Sequence, residues 1–184
     1  MITDSVSALS SIQTRASSRQ LGEPGNLRKP WSRDRAAGSH PYLVTPEHTA
    51  RAREILGDAP LLAPEAKVVL DTDPDSARAT ARDTLSRYLA LPNYTKALQQ
   101  FGFTEDDFAD GGSDRLVDAL FAWGDDDRVR ARLESFHAAG ADHVAVQVVD
   151  GGPRDALPRA AWRRLAELLR SGSRARLSVA VATV

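Results

Sequence analysis

The stretch GSHPYLVTPEHTARARE, Gly38 to Glu54, constrains the fold most, because it runs a short strand straight into a capped helix. Tyr42, Leu43 and Val44 are β-formers. Thr45 suits the N-cap, since its hydroxyl can accept from a free amide of the first turn, and Pro46 suits the first helical position, where no amide is missed. Ala50, Ile55 and Leu56 give the helix an apolar side, and Gly57 can end it in a left-handed cap. A strand, a turn and a helix in this order make one unit of an α/β protein. Thr45, Glu47 and His48 lie at the turn, beyond the carboxyl end of a strand, where such proteins keep their sites.

The same grammar recurs further on. Lys67 to Asp71, KVVLD, reads as a short buried strand, and Asp73 with Pro74 repeats the cap-then-proline start of a helix. Ala77, Ala81, Leu85, Tyr88 and Leu89 give that helix one apolar side, and Pro92 stops it. Tyr94, Leu98 and Phe101 suggest a shorter helix closed by Gly102. Ser113 is placed to cap another, with Leu116, Val117, Leu120 and Phe121 as its buried stripe and Gly124 as its end. Asp125 is placed to cap the next, buried through Val129, Leu133 and Phe136 and ended by Gly140. The acidic run Asp125, Asp126, Asp127 reads as a helix start, because three adjacent residues do not converge on one cation.

Asp142 to Val149, DHVAVQVV, is the clearest strand, since Val144, Val146 and Val148 alternate with small or polar residues. Gly151, Gly152 and Pro153 break it, and a last helix runs from about Pro158 to Arg170. The tail LSVAVATV alternates like a strand but has no evident partner in the sequence. Strands alternating with helices call for parallel pairing with right-handed crossovers. Residues 1–32 differ: they are rich in serine, are broken by Gly22, Pro24, Gly25 and Pro30, and read as a disordered arm.

Composition narrows the function classes. With 24 basic and 25 acidic residues the net charge is −1, so no global field favours nucleic acid or an anionic membrane. The absence of cysteine removes disulfides, thiolate metal sites and thiol nucleophiles. No apolar run is long enough to span a bilayer, and the expected location is the cytoplasm.

GSHPYLVTPEHTARAREILG, LLAPEAKVVLDTDPDSARATAR, LPNYTKALQQFGFTEDDFADGGSDRLVDALFAWGD and GADHVAVQVV together resemble the carboxyl-terminal part of the luciferase-like oxidoreductases, in the group that uses the deazaflavin coenzyme F420. The resemblance covers roughly Arg33 to Leu169. It implies a (β/α)₈ TIM barrel that moves hydride between an organic substrate and F420, with the coenzyme at the carboxyl ends of the strands; flavin mononucleotide (FMN) is the alternative coenzyme. The strands at Tyr42, Val69 and Val146 would be the sixth, seventh and eighth, and the helices at Tyr94 and Leu120 an insertion. A whole barrel takes about 250 residues, so the expectation is a partial barrel, residues 33–170, with unmatched segments 1–32 and 171–184. Such a chain would be weakly active or inactive alone and would pair, if at all, with its own copies or a complementary barrel half.

Candidate sites follow from the turns. The amides of Glu47 and His48 with the hydroxyl of Thr45 are placed to face an anionic group at a helix start. Under the resemblance this would be the phosphate-bearing tail of the coenzyme, or the substrate. The loop Asp150 to Arg154 follows the last strand, where barrels often hold phosphate, making Gly151 and Gly152 further candidates. No metal is expected: Glu47 and His48 are adjacent and diverge on a helix, and HExxH does not occur. His143, at the start of its strand, reads as structural. The sequence identifies no catalytic residue.

Overall fold

The structure is a computed structural model that describes residues 37–152, 157–171 and 179–181. The serine-rich segment 1–32, Pro153, Arg154 and most of the tail lie outside the described residues. Parallel strands alternate with helices as the sequence implies. In chain order the strands are β1 (Gly38–Ser39), β2 (Leu61–Leu62), β3 (Glu65–Val69), β4 (Phe121–Trp123), β5 (Val144–Val148) and β6 (Val179–Val181). The helices are α1 (Pro46–Leu56), α2 (Pro74–Leu89), α3 (Pro92–Gln99), the single turn α4 (Glu105–Phe108), α5 (Asp114–Leu120), α6 (Asp126–Ala138) and α7 (Arg159–Ser171).

The predicted caps hold. Thr45, Asp73, Ser113 and Asp125 each accept an amide of their own helix's first turn, from His48, Ser76, Leu116 and Arg128 at 3.3, 2.8, 3.1 and 2.9 Å. These bonds satisfy donors that a helix start otherwise leaves open.

One four-stranded parallel sheet has the order β4-β3-β5-β6, and β1 pairs with β2 in a smaller one. The two are joined through the backbone. Leu61, Ala63 and Glu65 donate to the carbonyls of Ala37, Ser39 and Pro41, so residues 37–41 run beside 61–65. On the opposite edge, the carbonyls of Leu62, Pro64 and Val68 accept from Asp142, Ala145 and Val149. Residues 37–41, β2–β3 and β5 are therefore neighbours in chain order, as expected of successive units, and β4 continues the edge occupied by residues 37–41. Gly38 is needed at this pairing, because a Cβ there would collide with the Leu61 carbonyl.

Four expectations about strands are corrected. Residues 42–44 are not a strand: Leu43 has φ 53°, a left-handed backbone that costs a non-glycine roughly 1–2 kcal/mol, and the chain turns out of the sheet there. The strand expected at Lys67–Asp71 starts two residues earlier, at Glu65. The helix capped by Ser113 ends at Leu120, and Phe121, expected on its stripe, opens β4. The tail has a partner after all, since Val179–Val181 pairs with Val144–Val146.

Alternate residues of the sheet enter two separate cores. Val69, Phe121, Trp123 and Val149 pack with Ala77, Ala81 and Leu85 of α2 and Leu116, Val117 and Leu120 of α5. Ala66, Val68, Ala122, Val144 and Val146 pack with Val129, Leu133 and Phe136 of α6 and Leu165 and Leu168 of α7. Helices thus cover both faces, and the described strands close no barrel. No helix among the described residues is long and apolar enough to cross a membrane.

Candidate functional site

The face of β3 that looks toward α2 carries charge. Glu65 and Lys67 are two residues apart on one strand and so share a face. Lys67 is only 1% exposed, and all three of its ammonium protons find acceptors. Its Nζ donates to Glu65 Oε1 at 2.6 Å, to the Tyr42 hydroxyl at 3.0 Å, and to Gln147 Oε1 on the neighbouring strand β5. The ammonium also lies 4.3 Å from the centre of the Tyr42 ring and 5.2 Å from that of Tyr88. A cation so placed is attracted to the ring faces.

Contacts among the rings fix the phenols. The Tyr42 and Tyr88 hydroxyls are 2.8 Å apart, and Tyr94 packs edge-on against Tyr88 with ring centres at 5.1 Å. Burial, then the Glu65 charge and the bond to Tyr88, push the Tyr42 phenol far above its ordinary pKa, so it stays protonated. Glu65 Oε2 accepts the Leu43 amide at 3.2 Å, which ties the left-handed turn to the ion pair. Sequence reasoning missed this cluster. Its signal was the Glu65–Lys67 alternation, hidden once the strand is started at Lys67.

Beside the cluster, at the start of α1, lies a small open hollow with room for about one water molecule. Leu43, Val44, Tyr94, Ala97, Leu98 and Phe101 give it an apolar wall, and Thr45 and His48 complete it. His48 is 4% exposed and its ring lies 5.2 Å from that of Phe101. Neither ring nitrogen has a hydrogen-bond partner. An unsatisfied buried polar atom costs about 1–3 kcal/mol, and burial alone lowers the His48 pKa to about 4. The imidazole is therefore neutral near pH 7.

The other predicted positions are engaged within the chain. The His48 amide is held by Thr45, and the Thr49 amide by the Thr45 carbonyl at 3.1 Å. The exposed Glu47 carboxylate takes the Thr45 hydroxyl and its own amide, bonds that, with the nearby Arg132 charge, hold it below the usual carboxylate range. The helix start thus already carries an anion of its own. Gly152 donates to Asp150 Oδ1 at 3.0 Å, and Gly151 faces Thr80 of α2 rather than the Thr45 turn. His40 donates to the Ala63 carbonyl at 2.5 Å, and His143 is buried at the start of β5. The Thr45 hydroxyl and the amides of His48 and Gly152, expected to face an anionic group, are thus engaged within the chain.

Comparison with known proteins gives little beyond this geometry. No protein-family profile matches the chain, and no curated protein does. A solved structure of an F420-dependent secondary alcohol dehydrogenase in complex with an F420–acetone adduct is similar at 10% identity and a TM-score of 0.43, covering 62% of this chain and 38% of that one. The α/β architecture with parallel strands is established by the chain's own structure.

Proposed function

We propose that this chain belongs to an oxidoreductase of the luciferase-like class that uses coenzyme F420, with residues 33–170 supplying the last strand-helix units of its barrel. The observation that carries the reading is strand order. Residues 37–41, β2–β3 and β5 lie side by side, parallel and in chain sequence, as successive units of a (β/α)₈ barrel would. The order of the resembling motifs from Arg33 to Leu169 supports it separately.

In such an enzyme the coenzyme supplies the hydride chemistry when bound, and the protein supplies placement. Lys67, anchored on Glu65, would hold the protonated Tyr42 hydroxyl and the Gln147 amide in fixed positions near the carboxyl end of β5. With the His48 amide held by Thr45 and the Gly152 amide by Asp150, these 184 residues alone would bind the coenzyme weakly and transfer hydride weakly or not at all. Further barrel strands would be needed to complete the coenzyme site.

The test is a fluorescence titration with oxidised and reduced F420, with FMN as the control. It is run on the chain alone and on the chain coexpressed with the first five strand-helix units of an F420-dependent luciferase-like enzyme. Saturable binding of F420 in preference to FMN is expected only in the second sample. A monodisperse complex that binds neither coenzyme would sink the oxidoreductase reading; tight binding by the chain alone would sink the claim that it needs other strands.

A second reading, a non-catalytic partial barrel that acts by association, is favoured by one observation. Among the described residues β4 is paired on one side only, and its free edge is a template for another strand. A chain that dimerises without binding coenzyme in either sample would support it.

A further inference from the structure

We propose that the outer edge of β5 is an exchangeable docking edge for one parallel strand, held in this chain by its own β6. Ala145 and Val149 donate to the carbonyls of Pro64 and Val68, so these residues turn their backbone groups toward β3. Alternate residues of a strand serve opposite edges, which turns Val144, Val146 and Val148 the other way. There β6 pairs in parallel, with Val179, Ala180 and Val181 beside Val144, Ala145 and Val146. A parallel neighbour needs a crossover, and the chain supplies one that carries α7. Residues 37–41, β2–β3, β5 and β6 thus stand side by side in chain order.

Under the barrel reading above, on which this step rests, β3 is the seventh strand and β5 the eighth. The strand beyond the eighth in a closed barrel is the first, and β6 stands in its place. A first strand must therefore displace β6 to pair with β5. What it has to displace is short: β6 pairs with three of the five residues of β5, and among the described residues Gln147 and Val148 have no strand partner on that edge. Those two are half-buried, whereas Val144, Ala145 and Val146 are buried. A strand of full length would pair the whole edge. Against it, β6 has the advantage of attachment, since a tethered segment acts at a high effective concentration. Its presence also covers an edge that would otherwise be a template for unwanted strand pairing.

The experiment compares the full chain with the variant Ala180→Pro, whose ring removes a backbone amide and disfavours a strand interior. The probe is a fluorescein-labelled peptide of the tail sequence, Leu177 to Val184, followed by anisotropy. It should bind Ala180→Pro saturably and at least about tenfold more tightly than the native chain, where the tethered β6 competes. A chain ending at Ser171 should match the variant. In a second arm, the first five strand-helix units of an F420-dependent luciferase-like enzyme should co-purify with Ala180→Pro in larger amount than with the native chain. Equal binding of the peptide to the native chain and to Ala180→Pro, or binding to neither, would overturn the proposal. So would loss of the fold, by circular dichroism, in both the shortened and the substituted chain, because β6 would then be a fixed member of the sheet. Peptide binding to Ala180→Pro without any complex with the five units would uphold the docking edge and count against the barrel reading instead.

Discussion

The two faces of the β4-β3-β5-β6 sheet are made from alternate residues of the same strands, yet they hold different things. Toward α6 and α7 the face is Ala66, Val68, Ala122, Val144 and Val146, an apolar surface against apolar helices. Toward α2 and α5 the same strands present Glu65, Lys67 and Gln147, joined to Tyr42 and Tyr88, with the hollow at His48 alongside. Taking a carboxylate and an ammonium out of water costs several kcal/mol per ion, and their attraction seldom returns more than that. Apolar packing on both sides of the sheet, around Val68 and Val146 as around Val69, Phe121 and Trp123, therefore accounts for the stability of the fold, and the buried ion pair adds little to it.

Single substitutions should separate the faces. The largest effect is expected from Lys67→Met, which strands the buried Glu65 carboxylate and should cost about 3–5 kcal/mol in urea denaturation, the penalty of an uncompensated charge rather than the worth of the pair. On the apolar side, Leu133→Ala should cost about 2–5 kcal/mol by the cavity it leaves in a fully buried site. A loss under 1 kcal/mol at Leu133 would show that the apolar core is not what holds the sheet.

His48 adds a pH dependence to the polar side. Its folded pKa is lowered to about 4, while the unfolded chain takes up the proton near pH 6.5, so between these values the unfolded state binds more protons. Stability should then fall as pH drops from about 6.5 to 4, by on the order of 3 kcal/mol at most. Denaturation at both ends of that window should show a smaller fall in His48→Phe than in the native protein; an equal fall would show that other groups cause it. The smallest effect is expected at the turn between the faces, where Thr45→Ala removes the cap of α1 and should lower stability by about 1 kcal/mol in the same assay.

What was legible in the sequence is what is local. Thr45, Asp73, Ser113 and Asp125 were identified as caps because a cap is decided within four residues. Phe121 was misplaced because it continues the helical spacing of Leu116, Val117 and Leu120, so the three-residue strand β4 is decided by pairing with Lys67–Val69 and not by periodicity. The tail's partner, β5, could not be inferred for the same reason. Of the site, the turn at Thr45 and His48 was visible because it is local; that the His48 amide is held by Thr45 while the ring nitrogens of His48 have no partner depends on packing and was not. The Lys67 cluster was invisible because Tyr42 and Gln147 stand 25 and 80 positions away. Only the parallel register of β3 with β5 brings Lys67 opposite Gln147.

The claim that the buried ion pair is not what stabilises the fold is tested most directly by a double-mutant cycle. Urea denaturation would compare the native chain, Glu65→Leu, Lys67→Met and the double variant. The expected result is that each single variant is strongly destabilised while the double variant returns to within about 1 kcal/mol of the native chain or exceeds it, as happens when a buried pair is replaced by hydrocarbon. A double variant as unstable as the sum of the two singles would contradict the account, and would make the ion pair at Glu65 and Lys67 a support of the fold.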